Sequence, residues 1–183
     1  MEILNITPTG WAAIAVALSM AVLAGMMFIL GKERVHYVWG VFCVAVAVWG
    51  GAFYIVTLAN NPETAQFWWK IAFVGLILNP FTFFHFVLEF INNEQTNRIK
   101  LHILIPLYIV AAAFLFINLT TNLIIDGVTF LFGEVYYNTP PGKLHPYFMT
   151  IFIGLVFYAH YLVYREYKKR REDKLFRQRV SYF

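Results

Sequence analysis

Apolar residues fall into five long blocks along this chain, parted by polar or mixed stretches. The blocks cover about residues 11–30, 37–58, 67–91, 101–119 and 146–164. Each comes close to the roughly 20 residues that an α-helix needs to cross a hydrocarbon core. Backbone amides in lipid must pair within their own segment, so runs of this length predict helices. Strands of a membrane barrel would be about ten residues long and strictly alternating, and that pattern is missing. The expected fold class is all-α, a polytopic transmembrane helix bundle with five spans.

The links between the blocks set a direction. Gly31-Lys32-Glu33-Arg34-Val35-His36, the stretch Asn92 to Lys100 and the segment after the fifth span carry 12 of the 14 Lys and Arg. The opposite side holds the N-terminus, Ala59 to Gln66 and a long loop at 120–145, with Glu2, Glu63, Asp126 and Glu134 and only Lys70 and Lys143 nearby. Cationic links stay on the cytoplasmic side of a bilayer. The N-terminus is therefore expected outside and the C-terminus inside, in the cytoplasmic (inner) membrane. Residues 1–165 read as one bundle and 166–183 as a basic cytoplasmic tail. Trp39, Trp68, Trp69, Tyr37, Tyr147 and Tyr164 lie near span ends, where aromatic belts form. In the long loop, Val128-Thr129-Phe130-Leu131-Phe132 and Glu134-Val135-Tyr136-Tyr137 flank Gly133, which predicts a short hairpin. Its apolar side chains are expected to fold back over the mouth of the bundle. Pro140-Pro141-Gly142 then marks a turn ahead of the fifth span.

Composition agrees with lipid as the solvent. Of 183 residues, 60% are hydrophobic, against about 45–50% in soluble domains. Charged residues reach only 13%, roughly half the usual share. The net charge of +4 does not point to nucleic acid, because eight of the 14 cations lie between Arg165 and Arg179, directly after a span. The single Cys43 sits inside an apolar block. The segment Met1 to Gly10 lacks the basic start of a signal peptide, so no cleavable leader is expected. Phosphate-binding loops, cysteine pairs, zinc-protease motifs and a nucleophile elbow are all missing. Asn5-Ile6-Thr7 and Asn118-Leu119-Thr120 match the glycosylation sequon, with Asn118 too near the membrane to be a good acceptor.

The third block carries the most chemistry. Asn79-Pro80 stands near its middle, where proline leaves the carbonyl of Leu76 without its helical donor. This reads as a packing kink, or as a hinge or polar lining of a ligand cavity. His85 and Glu89 follow four residues apart and share a helical face, with Thr82 beside them. Ionisable groups within a span usually face the bundle interior. His160 on the fifth span lies at a similar depth, so the expectation is an inner polar cluster of His85, Glu89 and His160. Imidazoles at 85 and 160 are possible metal or haem ligands. No third ligand is evident, and neither a metal nor another cofactor is expected.

Longer stretches resemble a known family. Ala47-Val48-Trp49-Gly50-Gly51-Ala52 begins the likeness. Phe67-Trp68-Trp69-Lys70-Ile71-Ala72-Phe73-Val74-Gly75, leading to Asn79-Pro80-Phe81, resembles the aromatic start, glycine and mid-helix proline of the third helix. Phe86-Val87-Leu88-Glu89-Phe90 is similar to that helix's exit. Ile105-Pro106 resembles the start of helix four, and Asn118 to Asn122 its outer end. Gly142-Lys143-Leu144-His145-Pro146-Tyr147-Phe148 resembles the start of helix five, and Phe176-Arg177-Gln178-Arg179 a basic turn before helix six. The family is the N-terminal seven-helix sensor region of prokaryotic histidine kinases. The resemblance implies a membrane sensor without catalytic residues of its own. Val180-Ser181-Tyr182-Phe183 stands where a sixth helix should begin. The expectation is a truncated chain or a short paralogue, without helices six and seven, the phosphoacceptor helix or the ATP-binding domain.

Three functions compete. A sensor or receptor module would bind a small apolar ligand at the outer mouth, with Trp68, Trp69, Tyr54, Asn79, Pro80, Tyr136 and Tyr137 as contacts and signalling by helix repacking. Aromatic walls with few polar groups suit such a pocket, although interfacial anchoring also explains any one of these rings. A non-enzymatic accessory subunit would use its Phe-rich faces against other membrane helices, as a homo-oligomer or in a larger membrane complex. A transporter would show paired broken helices or repeats, and an enzyme would show clustered acids and bases. Neither signature is visible.

Overall fold

The computed structural model describes residues 7–91, 94–170 and 172–181, with side chains except at 94–101, 179 and 181. The side chains of Arg98, Lys100, Arg171 and Arg179, and the segment carrying Glu2 and Asn5, lie outside the described residues.

Local chemistry explains where the helices begin. α1 spans Pro8–Leu30, with the Thr7 hydroxyl accepting from the Gly10 N–H at 3.1 Å and proline in the first turn. α2 spans Arg34–Thr57, across the tight turn at Gly31. α3 spans Pro62–Phe90, capped by the Asn61 side chain, which accepts from Thr64 N–H at 2.8 Å. Both arrangements satisfy an orphan amide of the first turn and place proline where its missing N–H costs nothing. α4 spans Glu94–Thr120, α5 spans His145–Lys169 and α6 spans Lys174–Ser181. Five of these six helices are long and apolar enough to cross a bilayer. The protein is a multi-pass membrane protein built as an all-α bundle.

Several helices outrun the apolar blocks. α3 has 29 residues, about 43 Å at the helical rise, against a hydrocarbon thickness of about 30 Å. α4 begins at Glu94 rather than near residue 101, so Pro106 lies inside it and Ile105-Pro106 is not its start. α5 continues to Lys169, past residue 164, and the expected basic turn around Phe176 is the helix α6. Hydropathy reads only the part of a helix that sits in oil, while its hydrogen-bond ladder runs on into the polar flank.

α2 packs along both α1 and α3, and α3 also meets α4 and α5. α3 is the most buried span and α1 the least. One core cluster joins Phe84, Val87 and Ile91 to Leu104, Ala159, Leu162 and Phe176 at the basic end of the bundle. A second joins Phe73, Ile77 and Phe81 to Ala111, Ile124, Ile125 and Phe148. Ile29, Phe116, Phe157 and other large apolar side chains are exposed, as a lipid-facing surface requires.

The loop after α4 folds as the sequence pattern predicts. β1 (Thr129–Leu131) pairs antiparallel with β2 (Val135–Tyr137), with Thr129 opposite Tyr137. The turn uses positive φ at Phe132 (59°) and Gly133 (69°), the left-handed geometry of tight hairpins. Val135 is buried with Val56 and Ala65, so the hairpin does cover one end of the bundle. Leu144 N–H donates to the Leu123 carbonyl at 2.7 Å and Gly142 N–H to that of Ile124 at 3.0 Å, closing the loop ahead of α5.

Candidate functional site

Two places gather polar or aromatic groups, one at each end of the bundle. At the hairpin end, aromatic side chains spaced four residues apart on α2 and α3 face one another. Trp49 stacks on Phe53 with centroids 6.3 Å apart, Phe53 meets Trp69 at 5.1 Å, and Trp69 meets Phe73 at 6.1 Å. Phe73 continues the series to His145 at 5.7 Å. The Trp69 indole N–H donates to the Tyr136 carbonyl at 2.7 Å and pins the hairpin to α3. Lys70 fastens the end of α4, its ammonium donating to the Thr121 carbonyl and the Asn122 amide oxygen at 2.9 Å each. Asn118, almost fully buried, returns a hydrogen bond to the Lys70 carbonyl at 2.8 Å.

Beside these ties an open pocket of about 380 Å³ lies between hairpin and helices. Trp49 on α2, Trp69, Phe73 and Leu76 on α3, and His145 and Met149 on α5 form its helical side, and Leu131, Tyr137, Asn138 and Thr139 line the hairpin side. The volume lies within the roughly 300–1,000 Å³ of small-molecule sites, and the mostly apolar lining with a few polar groups is their usual make-up.

Of the residues expected to contact a ligand, Trp69 and Tyr137 line this cavity. Trp68 packs instead beside Val56, Ala65 and Val135. The Tyr136 ring lies against Phe130 at 5.0 Å, and only its carbonyl engages Trp69. Tyr54 is half-buried on α2, and its carbonyl accepts from the Thr57 hydroxyl. Asn79 and Pro80 lie deeper along α3, which runs unbroken through the proline. The buried Oδ1 of Asn79 accepts no hydrogen bond, while the Thr82 hydroxyl donates to the Leu78 carbonyl at 2.9 Å. Trp49, Phe73, His145 and Met149 were not singled out from sequence as ligand contacts. The four-residue spacing of Trp49 with Phe53 and of Trp69 with Phe73 is the signal that links the first two.

At the basic end, Glu89 is buried and ion-paired. Its Oε1 lies 3.0 Å from Arg34 Nε on α2 and 3.4 Å from His85 Nε2 one turn back on α3. His85 Nδ1 lies 3.0 Å from the Tyr108 hydroxyl on α4. With the ring proton on Nε2 toward the carboxylate, Nδ1 accepts from the tyrosine. The network Arg34–Glu89–His85–Tyr108 thus joins three helices. His85 and Glu89 come together as expected, and Arg34 and Tyr108 enter from elements that the spacing argument did not connect. His160 is exposed on α5, its Nδ1 2.8 Å from the Val156 carbonyl and its ring 5.6 Å from Phe83. Among the described residues, no three His, Cys, Asp or Glu side chains approach closely enough to hold a metal ion.

A second buried carboxylate, absent from the sequence reading, stands at the end of α5. Glu166 lies 3.2 Å from Lys169, 3.6 Å from Arg165 and 3.7 Å from Arg170. Arg170 also donates to the Ile91 carbonyl at the end of α3 at 3.0 Å, and its guanidinium covers the Phe176 ring of α6 at 4.6 Å. The tail is thereby fastened to α3.

A protein-family model described as the N-terminal 7TM region of histidine kinase matches residues 11–183. The chain belongs to this family. The aromatic series, Gly75 and Pro80 on α3, and the buried Glu89 all lie within the matched residues. No curated protein and no solved structure matches the chain. The multi-pass character of this family agrees with the five apolar helices.

Proposed function

We propose that this 7TM region is a non-catalytic receptor module. A small, largely apolar molecule occupies the hairpin-end cavity and biases the packing of α2, α3 and α5. The observation that carries this reading is the open pocket itself, lined by three helices and by the hairpin and the residues that follow it. A ligand shifts such an equilibrium only by the difference in its affinity for the two packings. A site shared between helices provides that difference, because repacking changes its shape. The route to the tail runs along α3, from Trp69 and Phe73 past Pro80 to Glu89 and the Ile91 carbonyl held by Arg170. In this reading the hairpin end faces outward and the basic end inward, in the inner membrane, by the placement of Lys and Arg. The exposed helical faces meet lipid and other membrane helices, in a homo-oligomer or a larger complex.

The test uses the full chain purified in mild detergent. Mass spectrometry reads its bound small molecules and partner proteins, and a thermal melt reads ligand binding. Small apolar alcohols and ketones are expected to raise the melting temperature of the wild type but not of Met149→Trp, in which the cavity is filled. The same compounds should change the rate of tryptic cleavage at Lys168–Lys174. Binding without any effect on tail cleavage would refute transmission through α3. A constant stoichiometric partner with no response to small molecules would favour the accessory-subunit reading instead.

A further inference from the structure

A second crevice, of about 450 Å³, lies at the basic end, away from the hairpin-end cavity. Met27 of α1, Trp39 of α2, and Phe86 and Phe90 of α3 supply its apolar walls, while Glu33, ahead of α2, and His36, in its first turn, bring polar groups. Polarity is graded along it. Glu33 and His36 sit at the helix ends, whereas Trp39 and Phe86 lie about 6–8 Å further along their helices by the helical rise. That gradient matches a molecule with a polar head at the membrane surface and a chain running inward. In a bilayer, hydrocarbon is the medium that fills such an apolar space.

The rim narrows the choice of head. The Glu33 backbone N–H donates to His36 Nδ1 at 3.2 Å, so Nε2 carries the proton of the neutral ring and is a donor for a phosphate oxygen. Glu33 is exposed and offers a carboxylate. It suits a primary ammonium with its three donors, not a trimethylated one that has none, and it repels a head carrying only negative charge. We propose that this crevice binds one membrane phospholipid with a zwitterionic, primary-ammonium headgroup. The ammonium meets Glu33, the phosphate meets His36, and one acyl chain lies against Trp39, Phe86 and Phe90. This site stands independently of the hairpin-end cavity.

Trp39 in the crevice wall is the reporter. The full chain is reconstituted in phosphatidylcholine vesicles containing a minor fraction of chain-brominated phosphatidylethanolamine, phosphatidylcholine or phosphatidylglycerol. Bromine quenches indole on contact, and the Trp39 component is the difference between the wild type and Trp39→Phe. Brominated phosphatidylethanolamine is expected to quench it more strongly, with preferential occupancy on the order of fivefold for one charge-assisted contact. Glu33→Gln should reduce that preference to the phosphatidylcholine level. Equal quenching by the three lipids, or a preference for phosphatidylglycerol, would overturn the proposal. If Trp39→Phe does not fold, native mass spectrometry of the wild type released from mixed vesicles decides. Retained phosphatidylethanolamine supports the site, and its absence or unselective retention overturns it.

Discussion

Gly75→Ala tests how the two most intimately packed spans meet. A Cβ at Gly75 would collide with the Ala45 carbonyl and lie 2.6 Å from the Trp49 nitrogen and 3.1 Å from its Cα. All three are backbone atoms of α2, so no side chain can swing aside. Ordinary carbon contacts fall at about 3.5–4.0 Å, so α2 and α3 must separate by about 1 Å at this level. Overpacking of this kind costs about 1–3 kcal/mol. By the scaling of soluble domains of this size, a loss of about 2 kcal/mol lowers the melting temperature by about 4–8 °C. The displacement falls beside the cavity, because Trp49 and Leu76 both line it. Gly75→Ala should therefore also shift the tryptophan emission and weaken binding of small apolar compounds. Gly25→Ala and Gly154→Ala are the controls, since a Cβ at either position meets nothing within 4 Å. They should be neutral or mildly stabilising, as alanine favours helix over glycine by about 1 kcal/mol. The measurement is a thermal melt of each variant in the same detergent. A Gly75→Ala protein that melts with the wild type and keeps its emission spectrum would refute the close crossing of α2 and α3.

Three further outcomes follow from the same contacts. Trp69→Phe removes the hydrogen bond to the Tyr136 carbonyl, worth about 1 kcal/mol, and amide exchange of residues 129–137 should accelerate while exchange in α3 is unchanged. Arg34→Met and Glu89→Gln should be less than additive in a double-mutant cycle, with a coupling of about 1 kcal/mol because the Arg34 side chain is 71% exposed. Additive effects would show that the ion pair contributes nothing. Phe176→Ala should free α6, so that trypsin cuts at Lys174 and Arg177 several-fold faster with little change in the melt of the bundle. Unchanged cleavage would mean that Phe176 does not hold the tail.

Much of this protein was legible one segment at a time. The exit of each apolar block from water, and the retention of cations at one end, depend only on that segment's own transfer to lipid. For the same reason the five spans and the hairpin around Gly133 were visible in the order of residues alone, and so was the pairing of His85 with Glu89 one helical turn apart. The resemblance to the sensor region also rested on runs within single helices, such as Phe67 to Gly75.

Only the tertiary structure decided which faces meet. Each span is apolar on nearly every side, so its periodicity does not say which stripe turns inward, and rotation about the helix axis was left open. That rotation brings Phe53 to Trp69 and Arg34 to Glu89, buries Glu166 and leaves His160 exposed on α5. It is set by close approaches such as Gly75 against the Ala45 carbonyl. Such a contact exists only once two helices are side by side, and no single segment carries it.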